Sequence, residues 1–293
     1  MTTQSKRSLV LLAVAVILVW VKKASYPLKN FKWDHINIVS SLLATIVRTG
    51  TGISVSSAML KPEIPLKLFD IEGCPYCRLV REVLTELDLD AEIYPCPKQG
   101  DRYRLEAIEA GGKAQFPFFV DPNTGTQMFE SMNIIKYLFE VYGQRTLPIK
   151  WRLGSVQTMG SMLASTARAG FGITKKGSRA PEQLLELYSF ESSPYARMVR
   201  ECLCEMQLPY ILRNCGRTEL GEWVLPSVRD VLNIVPSSEL TNRKILQEKA
   251  GRMAIPYLID PNEKVHMFES ANIIEYLKVT YGVDNDNDNG VDE

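Results

Sequence analysis

The sequence predicts an α/β protein built from two tandem copies of one unit, with the order strand–helix–strand–helix–strand–strand–helix. Each copy follows a helical lead-in, and an apolar helix stands ahead of the first. Three observations carry this. The segment KLFDIEGCPYCRLVREVL, from Lys67, returns as ELYSFESSPYARMVRECL from Glu186, so Pro75, Tyr76, Arg78, Arg81, Glu82 and Cys96 recur 119 positions on as Pro194, Tyr195, Arg197, Arg200, Glu201 and Cys215. The segment FPFFVDPNTGTQMFESMNIIKYL, from Phe116, returns from Ile255 as IPYLIDPNEKVHMFESANIIEYL, now 139 positions on, which puts twenty extra residues between Cys215 and Pro256. Finally, 293 residues with 45% hydrophobic and 23% charged side chains suffice for two ordinary globular domains and exclude collagen-like, coiled-coil and largely disordered chains. The implied divisions are an anchor (1–27), a lead-in (28–63), the first copy (64–146), a second lead-in (147–182), the second copy (183–283) and an acidic tail (284–293).

Taken in order, Leu9 to Val21 is an unbroken apolar run between Lys6-Arg7 and Lys22-Lys23. As a helix it covers about 20 Å of the roughly 30 Å hydrocarbon core, a gap that snorkelling lysines narrow. No small-x-small cleavage site precedes the lysines. The expectation is an uncleaved single membrane helix, with a signal peptide or a buried core helix as competitors. Lys22, Lys23, Lys29 and Lys32 outnumber Lys6 and Arg7, which sets the body of the chain on the cytoplasmic side. The lead-in at 38–47 carries an apolar stripe of Val39, Leu42, Leu43, Ile46 and Val47, echoed by Met159, Met162 and Leu163 before the second copy. Packing between the copies is favoured for it over a membrane surface. The motifs Arg48-x-Gly50-x-Gly52 and Arg168-x-Gly170-x-Gly172 end both lead-ins, which implies related surfaces for both and one pseudo-two-fold body.

Within the unit, 65–71 and 184–190 read as buried strands, and Leu79, Val80, Val83, Leu84 and Leu87 mark the following helix. A strand at 91–95 and a polar helix near 101–110 lead to Gly111-Gly112. Strands at 118–120 and 126–129 flank an Asp-Pro-Asn-Thr-Gly turn, and a helix from Ser131 to Tyr142 stops at Gly143. The Asn/Asp-rich 284–293 reads as a disordered tail.

Thirty-four basic and thirty-four acidic residues cancel, so no charge argument favours nucleic acid. Two histidines, His35 and His266, leave little material for histidine metal sites or hydrolase triads, and no metal is expected. Six cysteines are too few for a disulfide scaffold, which leaves thiol chemistry in a reducing compartment. Its strongest sign is Cys74-Pro75-Tyr76-Cys77 at a strand-to-helix turn, an arrangement of the thioredoxin-like kind. Open N–H groups and the positive helix end favour a Cys74 thiolate, while Cys77, one turn in, suits a resolving thiol. A zinc half-site, short of two ligands even with Cys96, and an inert pair are the alternatives.

Cys-Pro-Tyr-Cys is similar to the glutaredoxin active site. Phe116-Pro117 and Glu130-Ser131 resemble the glutathione-binding N-terminal domain of glutathione transferases. The resemblance implies a cis Pro117, a Phe116 backbone that holds the cysteinyl part of glutathione, Tyr76 beside it, and Glu130-Ser131 at the γ-glutamyl head. Tyr94-Pro95-Cys96-Pro97 and the Asp-Pro-Asn turn extend the resemblance to tandem glutaredoxin-like proteins with two such domains. It implies a glutathione-linked thiol–disulfide oxidoreductase with catalytic Cys74 and Cys77, glutathione as cosubstrate, and protein or small-molecule disulfides as partners. The helical domain of true transferases has no room here. A transferase or isomerase resembling the membrane-associated prostaglandin E synthases is the alternative enzyme, and a non-catalytic glutathione-binding module the third reading.

The second copy replaces Cys74 by Ser193 and Cys77 by Ala196 but keeps Ile255-Pro256, with Pro256 also expected cis, and Glu269-Ser270. Either it packs on the first copy, still holding glutathione or closing the first cleft, or Ser193-Pro194-Tyr195 resembles transferase classes that use a serine hydroxyl. Of Cys202 and Cys204, at least one is expected in the core. Cys96 and Cys215 read equally as spare redox thiols or buried small residues. Lys98, Arg102 and Arg104 read as a carboxylate-binding group or a solvated face.

Overall fold

A computed structural model describes residues 31–48, 51–218 and 238–283. The expected membrane helix at Leu9 to Val21 and the acidic tail at 284–293 lie outside the described residues. Among the described residues no helix is long and apolar enough to cross a membrane. The chain divides into two units, Met1–Ile36 and Asn37–Glu293, and the second holds both copies.

The first lead-in forms α1 (Phe31–Val47), beginning earlier than the stripe at 38–47 implied. The first copy follows as β1 (Leu66–Asp70), α2 (Pro75–Glu86), β2 (Ala91–Pro95), α3 (Tyr103–Gly111), β3 (Phe118–Asp121), β4 (Thr126–Phe129) and α4 (Ser131–Val141). The second lead-in is a short α5 (Ile149–Arg152) and α6 (Gly154–Thr166). The second copy is β5 (Leu185–Ser189), α7 (Pro194–Glu205), β6 (Tyr210–Asn214), α8 (Thr241–Ala250), β7 (Tyr257–Asp260), β8 (Val265–Phe268) and α9 (Ser270–Tyr281).

The eight strands make one sheet in the order β4-β3-β1-β2-β6-β5-β7-β8. Within each copy the first two strands are parallel, the third lies antiparallel beside the first, and the fourth pairs antiparallel with the third. The copies join where β2 meets β6 antiparallel, Ala91 opposite Leu212 and Ile93 opposite Tyr210, so each covers the edge the other would expose. This junction relates the copies by a pseudo-two-fold, and the strand ends bearing Cys74 and Ser193 point to opposite ends of the sheet.

Alternation along the strands divides the core. Leu66 and Leu68 of β1 join Leu79, Val83, Ile134 and Leu138 in a single core that continues through Leu187, Leu203 and Leu277 of the second copy. Phe69 turns to the other face, where Cys96, Ala107 and Phe118 form a separate small core under α3, matched under α8 by Tyr188, Cys215, Leu246 and Tyr257.

One feature lies beyond the sequence reading and a second corrects it. From Cys77 on, helix α2 is buried all round, charges included: Arg78, Arg81 and Glu82 are as enclosed as Leu79 and Val80. Between α2 and α7, Arg81 pairs with Asp70, with Glu72 at 3.1 Å and with Glu191 at 2.9 Å, while Arg200 reaches Glu72 at 3.2 Å and Glu191 at 3.1 Å. The lead-ins attach through further buried pairs, Arg48 Nε with Glu82 at 2.7 Å and Arg168 Nε with Glu201 at 2.7 Å. The second feature corrects the expectation that the apolar stripes pack inward. Val39, Leu43, Ile46 and Val47 are exposed, as are Met159, Met162 and Leu163, and the buried side is Ser41 and Ala44 of α1 with Arg48 just past it, and Ser161 and Ala164 of α6 with Arg168 just past it.

Candidate functional site

Strand register assembles the site. Phe69 of β1 lies opposite Phe118 of β3, which lies opposite Phe129 of β4. The turn after β1, the peptide before β3 and the residues after β4 therefore share one sheet end, spread over about 10 Å at the usual strand spacing. That end carries Cys74, Phe116-Pro117 and Glu130-Ser131. The Phe116–Pro117 and Ile255–Pro256 bonds are both cis.

Cys74 occupies the N-cap of α2 with extended backbone (φ −75°, ψ 126°), and Pro75 starts the helix where no N–H is required. Its thiol is lowered to about 7, first by a hydrogen bond from the Cys77 side chain and then by the N–H groups of Cys77 and Tyr76 and the charge of Arg81, against the opposing effect of burial. Cys77 moves the other way. Burial pushes its thiol well up, and the bond to Cys74 and the charge of Asp70 add to that. Cys74 is half-buried, Cys77 fully buried, and Tyr76 exposed beside them. Asp70, at the end of β1, is itself raised to about 6 by burial, with Arg81 acting against the rise.

At the far side, Glu130 sits at the start of α4 with φ 68°, its side chain exposed and making no cap bond to the helix, though Gln115 donates to it. Ser131 is buried as the first helical residue, and Phe116 is half-buried with the Arg104 guanidinium 4.8 Å over its ring. An acidic side chain beside open helix N–H groups suits a zwitterionic α-amino-acid head. Of the basic trio, Arg104 lies against this cleft through the Phe116 ring. Arg102 instead ties the copies together through Met206 O at 3.2 Å and Ser178, and Lys98 donates its backbone N–H to Ile173 O at 2.6 Å.

The second copy keeps the frame but closes the turn. Ser193 is buried, and its hydroxyl accepts from the Ala196 N–H at 3.3 Å. Helix α1 fastens the turn through Ser41 Oγ to Pro194 O at 2.8 Å and Thr45 Oγ1 to Ser192 O at 2.8 Å. Tyr195 is half-buried where Tyr76 is exposed. Ile255 is half-buried, Ser270 buried, and Glu269, again at positive φ, is bound by Arg252 at 2.9 Å. Cys202 and Cys204 are both buried, and Cys204 Sγ accepts the Glu72 N–H at 3.3 Å. Cys96 and Cys215 are wholly buried, and burial raises the Cys96 thiol far above its ordinary value, against a redox role. Among the described residues no cluster of histidine, cysteine or carboxylate side chains is placed to hold a metal.

Sequence reasoning missed the wall of the Cys74 cleft. Each lead-in crosses to the other copy's turn. The Gly73 N–H donates to Gly172 O at 3.2 Å, and a Cβ on Gly73 would come within 2.5 Å of Ile173 Cγ1. Ser161 Oγ donates to Pro75 O at 2.7 Å. The repeated Arg-x-Gly-x-Gly was the signal, but spacing alone does not reveal which copy a lead-in serves.

Comparison with known proteins follows this geometry. A family model described as glutathione S-transferase, N-terminal domain, matches residues 68–146 and again 187–285. No curated protein matches. Among solved structures, a unique trimeric glutathione transferase from Leishmania is similar at 12% identity over 75% of this chain and 68% of its own, with a TM-score of 0.25, too remote a likeness to bear on the site.

Proposed function

The chain belongs to the glutathione S-transferase N-terminal-domain family, which it matches twice, and from that premise we propose that its first copy is a glutathione-linked thiol–disulfide oxidoreductase. The observation that carries this reading is the placement of two thiols one turn apart, Cys74 half-buried at the N-cap of α2 and Cys77 buried inside the helix, and their opposite shifts agree with it, Cys74 lowered to about 7 and Cys77 raised. A thiolate near ambient pH is both populated and nucleophilic.

In the proposed cycle Cys74 attacks the glutathionyl sulfur of a mixed disulfide. The substrate sulfur leaves as thiolate and takes a proton from solvent, and Cys74 carries the glutathionyl group. A second glutathione thiolate then attacks that group's sulfur, glutathione disulfide leaves, and Cys74 returns as thiolate. With a protein disulfide the second step falls to Cys77, which gives up its proton, attacks Cys74 Sγ and releases the reduced partner. Two glutathiones then reduce the Cys74–Cys77 disulfide. The Phe116 backbone, Tyr76 and Glu130-Ser131 hold the glutathione moiety across the cleft.

The second copy has neither thiol and serves as a packing partner whose lead-in walls the first cleft. The alternative serine-based transferase reading is disfavoured because the Ser193 hydroxyl is buried and engaged by the Ala196 N–H. Reduction of a glutathionylated peptide by glutathione tests the proposal. Cys74→Ser is expected to fall to the uncatalysed rate while Cys77→Ser retains turnover, and full activity in Cys74→Ser would refute it.

A further inference from the structure

The lead-in helices are amphipathic in the reverse sense. On the side toward the body, α1 carries Ser41 and Ala44 with Arg48 just past it, and α6 carries Ser161 and Ala164 with Arg168 just past it, all buried. The outward side carries Val39, Leu43 and Ile46 on one helix and Val156, Met159 and Leu163 on the other, between 46% and 65% exposed. The helices run antiparallel as neighbours: Arg48 at the end of α1 donates to Gln157 O at 3.0 Å, and Arg168 just past α6 donates to Asn37 O at 2.8 Å. Both rest on the first turns of α2 and α7 through Ser161 and Ser41. Their outward sides therefore face the same way, an apolar surface of six exposed side chains on two neighbouring helices.

We propose that this surface lies on the face of a phospholipid bilayer with anionic headgroups, so that the body rests on the membrane through α1 and α6. Three observations select this occupant. The apolar run from Leu9 to Val21 is separated from Phe31 by the nine residues 22–30, which begin with Lys22 and Lys23, a link that spans at most about 35 Å when extended. Whatever bilayer receives that run is within reach of α1. The stretches 36–48 and 145–172 contain no aspartate or glutamate, and Arg145, Lys150 and Arg152 stand in the second of them; even with Lys150 paired to Glu86 at 2.8 Å and Asp34 near the start of α1, the lead-ins carry more cations than anions beside lipid phosphates. The same inversion occurs in both lead-ins, although only the first adjoins the apolar run. An interfacial surface uses both helices, whereas a cover for α1 alone would not require α6 to match. Because the layer sits on the Pro75 and Pro194 turns, the Cys74 cleft would work close to the lipid surface.

The test uses the full chain in vesicles of phosphatidylcholine with about one-third phosphatidylglycerol. The photoreactive residue p-benzoylphenylalanine replaces Leu43, Met159 or, on the opposite face of the sheet, Leu105 of α3, which is 57% exposed. Circular dichroism confirms that each variant is folded. Each apolar side chain withdrawn from water is worth about a factor of ten in partition. Lipid adducts at positions 43 and 159 are therefore expected at about ten times the yield at 105, with a higher yield in anionic vesicles than in phosphatidylcholine alone. Equal lipid labelling at all three positions overturns the proposal. So do adducts at 43 and 159 that join a second copy of the chain, or that map to residues 9–21 of the same chain.

Discussion

Glu191 is the carboxylate on which the buried charges between the two copies depend most. Arg81 and Arg200 reach it at 2.9 and 3.1 Å, and Arg78 stands at 3.8 Å, all of them enclosed. Glu191→Gln keeps the volume and the oxygen acceptor but removes the charge, which leaves guanidinium groups buried without their counter-ion. Breaking such a pair costs about 3–5 kcal/mol, a large part of the 5–15 kcal/mol that holds a domain together. A second route gives a similar size. The three arginines outweigh burial and hold the Glu191 carboxyl at about 2 against 4.5, and a shift of that size is worth about 3 kcal/mol. A lowered folded value means that this stability is fully present above pH 4.5 and is lost as pH falls toward 2. Asp70, raised to about 6, contributes with the opposite sign, favouring the folded state below that value. The difference between wild type and variant reports Glu191 together with its effect on Asp70, whose carboxyl the Glu191 charge helps to raise. Urea unfolding from pH 3 to pH 7 is expected to show a deficit of about 3 kcal/mol or more at pH 7, shrinking toward acid. A deficit under about 1 kcal/mol at pH 7, or one that does not change with pH, refutes the reasoning.

Other outcomes follow from the same geometry. Alkylation of Cys74 should rise with pH through a midpoint near 7, and Cys77→Ala, which removes the side-chain donor, should move that midpoint up because the Cys77 hydrogen bond is the largest cause of the shift; a midpoint at the free-thiol value in wild type would contradict this. Gly172→Ala places a side chain at φ 72°, with its Cβ 3.0 Å from Glu72 Cβ, and should cost about 1–3 kcal/mol in denaturant unfolding, whereas a neutral effect would mean the crossing segment is not held as described. Tyr142→Phe removes a hydroxyl that donates to Asp121 at 2.6 Å, and Tyr281→Phe removes its repeat on Asp260 at 2.6 Å; each should cost about 1–3 kcal/mol, and clearly unequal costs would deny the equivalence of the copies.

The repeat made most of the fold legible. Strands β2 and β4 match the sequence reading at both ends, because short apolar runs between turn residues leave a strand little choice. Cys74, Pro117 and Glu130, which the sequence grouped only through its resemblance to a glutathione site, lie at one sheet end because each stands at a strand boundary. The charges of α2 did not read. Arg78, Arg81 and Glu82 look like a solvent face until a second copy of the same helix faces them, and pairing across copies is invisible to a periodicity within one. The lead-ins misled for the opposite reason. An apolar stripe normally marks the inward side, but here Ser41, Ser161, Arg48 and Arg168 make specific bonds inward and leave the apolar residues outside.

The central claim is that Cys74 carries a glutathionyl group during turnover. Cys77→Ser protein mixed with a glutathionylated peptide and quenched before excess glutathione is added traps that state for intact mass and peptide mapping. One glutathionyl group per chain, on Cys74, lost when glutathione follows, is the expected result. No adduct, or an adduct on Cys96 or another cysteine with Cys74 free, would contradict the claim.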